Sequence, residues 1–288
     1  MIKFYLFTAV IVFALTITIN GCSSQPEYPS INYSSAKSYD YGQVVWRDLV
    51  SPEPETSAKF YKNVFGWTSK QTGTEEEPYW LFSLNGKPVA GMYRMRENNK
   101  LAGGEWLSYF SVNSPGDLIS KLKSNGGNLV IKQTDIPGRG KVALLSDPQG
   151  AYFALIKSSN GDPEINRTTE FSFLWSELWS NDMAKSEDFY KTVFNSQIKN
   201  QKDDERDYTV IISDSKPAFG IIKNPVENVR SHFIQYILVN DVKGIEKKAK
   251  DAGAKIIIPA DSSIRNGTVS VFADPTGAPV AIQKWPVE

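Results

Sequence analysis

The sequence predicts an α+β chain of four βαβββ units set out as two tandem domains, and three observations carry that reading. Trp46 and Trp175 stand 129 residues apart in segments that otherwise repeat: Val44-Val45-Trp46-Arg47-Asp48-Leu49 against Phe173-Leu174-Trp175-Ser176-Glu177-Leu178. Each Trp is followed fourteen residues later by a Phe-Tyr pair, Phe60-Tyr61 and Phe189-Tyr190. Asp147-Pro148-Gln149-Gly150-Ala151 then recurs as Asp274-Pro275-Thr276-Gly277-Ala278, 127 residues on. An internal repeat of this length decides architecture before finer signals are weighed.

Each element follows from local pattern. Residues 43–50 form an apolar strand broken by Pro52-Glu53-Pro54, and residues 55–65 a helix whose Ala58, Tyr61, Val64 and Phe65 recur at helical spacing. Gly66 ends the helix, and strands follow over 67–71, 79–84 and 89–95, with Asn85-Gly86 as the hairpin turn between the last two. The order then repeats: strand 107–112, helix 115–124, strands 128–132, 141–146 and 152–157. A polar, turn-rich linker over 159–169 separates domain 1 (42–158) from domain 2 (170–288), where the pattern returns with strand 171–179, helix 184–194, strand 233–239 and helix 242–252. Asp147-Pro148 and Asp274-Pro275 read as turn formers that hold the last hairpin of each domain.

The first 21 residues stand outside this fold. Lys3 precedes an uncharged, mostly apolar run, Phe4 to Ile19, of 16 residues, which suits a secretory signal better than a membrane span. Ile19-Asn20-Gly21-Cys22-Ser23-Ser24 resembles a bacterial lipobox. That resemblance implies cleavage before Cys22 and acylation of its thiol and new amino terminus, the alternative being an uncleaved anchor helix. The chain is therefore expected to be exported and lipid-anchored at the cell membrane or outer membrane. Cys22 is the one cysteine, so no intrachain disulfide can form. Residues 22–41, rich in Ser, read as a flexible tether with a span of roughly 25 Å. The 32 basic and 32 acidic residues give no net charge, which leaves no electrostatic footprint for nucleic acid.

These motifs, in order and twice, resemble the vicinal oxygen chelate superfamily, which includes glyoxalase I, extradiol dioxygenases and bleomycin-resistance proteins. The matching residues are Trp46, Phe60-Tyr61, Val64-Phe65-Gly66-Trp67 and Asp147 to Leu155 in domain 1. In domain 2 they are Trp175, Phe189-Tyr190, Val193-Phe194 and Asp274 to Ile282; Asn195 stands where domain 1 has Gly66. The resemblance implies two tandem glyoxalase-like domains with U-shaped mixed sheets, each curled around a pocket. It also implies a monomer, one chain acting as the pseudo-dimer that single-domain relatives reach by association.

Catalytic relatives hold a divalent metal through His and Glu side chains facing the cup. Carried over by motif, those positions fall on Trp46, Leu107 and Ala154 in domain 1 and on Trp175, Ile234 and Ala281 in domain 2. Indole, isobutyl, sec-butyl and methyl groups cannot donate a lone pair to a cation. His232 is the only histidine, which rules out a two-His site within one chain. It lies at a strand edge and is expected at the rim. No metal and no cofactor are expected.

Strand alternation places Asp48 beside Trp46, Glu177 beside Trp175, Tyr109 beside Leu107 and Tyr236 beside Ile234. The leading expectation is a pocket for a small, partly aromatic or cationic organic molecule. One alternative is a metal-independent lyase, isomerase or hydrolase using Asp48 or Glu177 as general base. The other is an envelope interaction module whose hollows are filled by the two tryptophans. Gly138-Arg139-Gly140-Lys141 reads as a turn entering a strand.

Overall fold

The computed structural model describes residues 28–96, 103–203 and 205–285. The signal segment and Cys22 lie outside the described residues. Among those described, no helix is long and apolar enough to cross a membrane.

Domain 1 opens with β1 (Val44–Ser51), buried along its whole length, and α1 (Pro54–Phe65). Pro54 sits in the first turn, where its missing N–H leaves no bond unmade. Gly66 ends the helix at φ 72°, its N–H donating to the Lys62 carbonyl at 2.9 Å. There follow β2 (Thr68–Gly73), β3 (Pro78–Leu84) and β4 (Lys87–Arg94). Asn85 and Gly86 both take positive φ, as a two-residue hairpin with this twist requires. The second unit is β5 (Glu105–Ser111), α2 (Pro115–Ser124), β6 (Asn128–Ile136), β7 (Gly140–Ser146) and β8 (Tyr152–Ser158).

Domain 2 repeats the order. Its first unit is β9 (Phe173–Ser180), α3 (Met183–Phe194), β10 (Gln197–Asp203), β11 (Arg206–Ser213) and β12 (Lys216–Lys223). Its second is β13 (His232–Leu238), α4 (Val242–Asp251), β14 (Lys255–Ile258), a 3-10 turn at Arg265–Gly267, β15 (Val269–Ala273) and β16 (Pro279–Gln283). Asn195, the departure from Gly66, still takes the left-handed cap at φ 51°, a conformation Asn tolerates.

Each domain forms one eight-stranded mixed sheet, β2-β3-β4-β1-β5-β8-β7-β6 and β10-β11-β12-β9-β13-β16-β15-β14. The two units of a domain meet where β1 runs antiparallel to β5, and β9 to β13. The other faces of the sheets pack between the domains. One apolar cluster joins Tyr61, Phe65 and Trp67 of the first unit to Val242, Phe272 and Ile282 of the fourth. A second joins Phe110, Phe153 and Leu155 to Tyr190, Val193 and Phe219.

The Asp-Pro turns serve this packing as well as their own hairpins. Asp147 accepts from the N–H groups of Gln149 and Ala151 at 2.8 Å each, and from Tyr190 Oη of domain 2 at 3.3 Å. Asp274 accepts from Thr276 and Ala278 in the same way and faces Tyr61 of domain 1. Between the sheets, Arg47 donates to Gln235 at 2.9 Å and Ser176 at 3.0 Å, and burial brings its pKa down to about 9.

The tether reading needs correcting over residues 28–41. Tyr28, Ile31 and Asn32 are buried, and the Asn32 amide donates to the Ala36 and Asn160 carbonyls at 2.9 and 2.8 Å. An aromatic and an aliphatic side chain, in a segment otherwise rich in Ser, find apolar surface on domain 1 and hold it there.

Candidate functional site

β1 and β9 each supply the floor of a hollow. The pleat turns Trp46 and Asp48 to the same face, and pairing sets Trp46 opposite Tyr109, Asp48 opposite Leu107, and Tyr109 opposite Ala154. In domain 2, Trp175 faces Tyr236, Glu177 faces Ile234, and Tyr236 faces Ala281. All ten candidate positions therefore gather at the hollows, five in each. They do not all line open space. Trp46 and Asp48 are 2% and 0% exposed, and Glu177, Ile234, Tyr236 and Ala281 form a buried floor beneath Trp175, which is the half-buried one.

Neither carboxylate is free. Asp48 Oδ1 accepts from Trp46 Nε1 at 2.9 Å and Tyr79 Oη at 2.8 Å, while Oδ2 accepts from Arg139 at 3.0 Å; Tyr109 also bonds the carboxylate. Arg139, wholly buried, donates to Tyr79 Oη at 2.6 Å, and its guanidinium carbon lies 4.7 Å from the centre of the Tyr79 ring. Its Nε has no hydrogen-bond partner among the described residues. In domain 2, Glu177 Oε1 accepts from Arg265 at 2.9 Å, and Oε2 from Trp179 Nε1 at 3.2 Å and from Tyr236 Oη. Arg265 is held a second time by Asp203 at 2.6 Å. Burial works against the charge on each guanidinium, but Tyr79 and Asp48 hold the pKa of Arg139, and Glu177, Tyr236 and Asp203 that of Arg265, above the ordinary arginine value.

Sequence reasoning missed Arg139 and Arg265. Gly138-Arg139-Gly140 is a turn, as expected, but its side chain reaches 91 positions back to Asp48, and Arg265 reaches 88 positions back to Glu177. A signal existed: each copy carries an Arg shortly before the strand that leads into its Asp-Pro turn, and an acid two residues after its Trp. Tyr79 and Tyr208 were missed too. They lie over Gly91 and Gly220, where an added Cβ would come within 1.5 Å of Tyr79 Oη and 2.1 Å of Tyr208 Oη. Only glycine leaves room for those rings.

The hollows differ in content. In domain 1 a cavity of about 60 Å³ remains, lined by Tyr28, Tyr93, Leu107, Tyr109 and Ala154 among others. In domain 2 about 650 Å³ is open beside Trp175, Tyr208, Val210, Pro217, Arg167 and Arg265. The Trp175 indole is fixed by donating to Tyr208 Oη at 2.8 Å. His232 is buried at the start of β13 and does not line this hollow, so it is not the rim histidine expected. Its Nδ1 bonds the Arg230 carbonyl at 2.8 Å, its ring meets Trp179 edge-on at 5.6 Å, and burial brings it down to about 4. It is a neutral packed histidine.

Two tandem curled sheets, each with its hollow on one face and its partner domain on the other, define a double glyoxalase-fold protein. The chain belongs to the Glyoxalase/Bleomycin resistance protein/Dioxygenase superfamily, whose family model matches residues 42–155 and 166–282. "Putative glyoxylase CFP32" of Mycobacterium bovis is 30% identical over 257 residues, covering 85% of this chain and 96% of the relative. "Anthracycline biosynthesis protein DauV" of Streptomyces sp. (strain C5) is 26% identical, covering 82% and 91%. Among solved structures, the 2,3-dioxygenase LapB from Pseudomonas sp. KL28 superposes with a TM-score of 0.56 at 14% identity, over 85% of this chain and 93% of that one. The Mn(II)-bound glyoxalase from Novosphingobium aromaticivorans gives 0.54 at 13% identity, over 85% and 82%. At these identities the two structures speak for the fold alone.

The residues present do not fit the divalent metal that the superfamily resemblance implies. The motif-matched donor positions are aromatic or aliphatic. The one acid on each floor is already bonded by a guanidinium, and that fixed positive charge repels a cation at the same spot. Among the described residues, no three His, Cys, Asp or Glu side chains are grouped to hold a metal.

Proposed function

We propose that this chain is a metal-independent small-molecule-binding member of its superfamily, with the hollow of domain 2 as the binding site and that of domain 1 as structural core. The observation that carries the reading is the contrast of about 650 Å³ around Trp175 with about 60 Å³ in domain 1. The larger volume falls within the range of small-molecule pockets, roughly 300–1,000 Å³. Relatives named as a glyoxylase and as an anthracycline biosynthesis protein agree with a scaffold that handles small organic molecules. The general-base alternative finds no support, since both oxygens of Asp48 and Glu177 are engaged. The filled-module alternative describes domain 1 but not domain 2.

Thermal-shift screening of the purified chain against small aromatic compounds, followed by calorimetry of hits on Trp175→Ala, tests the reading. Hits are expected to raise the melting temperature of the wild type and to lose roughly ten-fold or more in affinity on Trp175→Ala. Hits indifferent to that substitution would place binding elsewhere and refute the assignment.

We further propose that the chain is exported, held at a membrane by acyl groups on Cys22, and acts as a monomer. Five residues separate Cys22 from Tyr28, which is buried against domain 1. At roughly 3.3–3.6 Å per residue, domain 1 stays within about 20 Å of its anchor. Incorporation of labelled palmitate that disappears in Cys22→Ser is the expected result.

A further inference from the structure

The ligand class can be narrowed, on the reading that the domain 2 hollow binds small molecules. We propose that this hollow selects planar aromatic anions, the flat part lying among Trp175, Tyr208 and Pro217 and the anionic group meeting Arg167 and Lys199. Cationic ligands, which the sequence left open, are disfavoured by the charge that the fold leaves exposed.

Four basic side chains line the hollow, Arg167, Lys199, Lys202 and Arg265, against one acid, Asp203. Arg265 is committed to Glu177 and Asp203, and Lys202 to Asp207 at 2.8 Å. Arg167 and Lys199 have no ion pair among the described residues. The Arg167 guanidinium carbon lies 5.1 Å from the centre of the Trp175 ring, so a cation and an aromatic face border the same space. Partial burial lowers the Arg167 pKa, and Asp40 opposes that shift. An anion in the hollow would relieve that penalty. Glu177, the one acid on the floor, cannot serve a cationic ligand because its two oxygens are bonded to Arg265, Trp179 and Tyr236.

Most of the rest of the lining is apolar. Leu174, Val210, Ile212 and Pro217 join Trp175 and Tyr208, and aromatic walls of this kind accept flat rings by offset stacking or edge contacts. Gly220 makes the wall possible, since a Cβ there would lie 2.1 Å from Tyr208 Oη and 3.0 Å from Trp175 Nε1.

Three isosteric probes separate the charge from the pocket: 2-naphthoate, 2-naphthamide and the 2-naphthylmethylammonium ion, titrated calorimetrically into the full-length chain. Naphthoate is expected to bind at least ten-fold more tightly than naphthamide, and the ammonium ion most weakly. Charge-assisted hydrogen bonds of this type carry roughly 10- to 100-fold in affinity. Arg167→Gln and Lys199→Gln should therefore each weaken naphthoate about ten-fold and leave naphthamide unchanged, while Trp175→Ala weakens both. Arg167 and Lys199 are not in the core, and a thermal melt checks that their variants stay folded. If naphthamide or the ammonium ion binds as tightly as naphthoate, or Arg167→Gln weakens both acid and amide alike, the anion proposal fails and the pocket stands. If none of the three binds, the pocket reading falls and the proposal with it.

Discussion

The two hollows are the same device finished in two ways. Both carry a Trp and an acid on the first strand, a Tyr from the third strand lying over a Gly of the fourth, and a buried Arg from the turn before the seventh. In domain 1 the device is closed: Tyr28 packs at 5.4 Å from Tyr79 and 5.7 Å from Tyr93, and those two rings stand 4.9 Å apart. Domain 2 has Ile222 opposite Tyr208 where domain 1 has Tyr93 opposite Tyr79, and the chain entering it contributes Arg167 rather than an inserted ring. A few side chains and one docked segment thus convert a pocket into core. The scaffold sets where a hollow can be, and its occupants decide whether one remains.

The largest expected effect tests how closed the first hollow is. Asp48→Ala strands the fully buried Arg139 without its acid, and removing one partner of such a pair costs about 3–5 kcal/mol. Glu177→Ala should cost less, about 1–3 kcal/mol, because Arg265 keeps Asp203 at 2.6 Å and lies nearer solvent. Urea unfolding of the two variants measures the difference, and equal losses would break the contrast between the domains.

Tyr28→Ala sharpens it from the other side. Loss of a buried aromatic ring costs about 3 kcal/mol, and the space it leaves adjoins the remaining cavity of domain 1. Faster proteolysis between residues 28 and 41 is expected, with naphthoate affinity at domain 2 unchanged. A change in that affinity would mean the hollows are coupled.

Acid should act on domain 2 through His232, whose place at the start of the fifth strand is taken in domain 1 by Glu105. Its folded pKa, about 4, lies below the ordinary value of 6.5. The unfolded chain therefore binds the proton first as pH falls, and stability is full above 6.5 and lost progressively toward 4. The loss amounts to about 3 kcal/mol. Burial raises Glu105, Asp147 and Asp274, which act with the opposite sign. His232→Asn, compared with wild type at each pH, isolates the histidine and should flatten the decline between pH 6.5 and 4.

Much of this arrangement was written in local pattern. The paired Trp, Phe-Tyr and Asp-Pro motifs marked the repeat, Gly66 marked the end of the first helix, and the two-residue pleat placed Asp48 with Trp46 and Tyr109 with Leu107. The arginines were not legible by that route. A turn arginine looks alike whether it meets water or a buried acid, and only the closing of the sheet brings Arg139 to Asp48. Residues 28–41 misled for a related reason: a Ser-rich composition reads as coil, while two side chains, Tyr28 and Ile31, suffice to dock it.

By itself, then, the sequence determined the doubled architecture, the face that each residue of the first and fifth strands shares with its neighbours, and the absence of metal-donor side chains at the motif positions, because these depend on periodicity and residue chemistry within a few turns of chain. Tertiary structure alone decided that one hollow is filled and the other open, that each acid is neutralised from about 90 positions away, and that the remaining exposed charge is positive. Those outcomes depend on volumes and distances between segments that meet only when each sheet closes, and no local pattern encodes them.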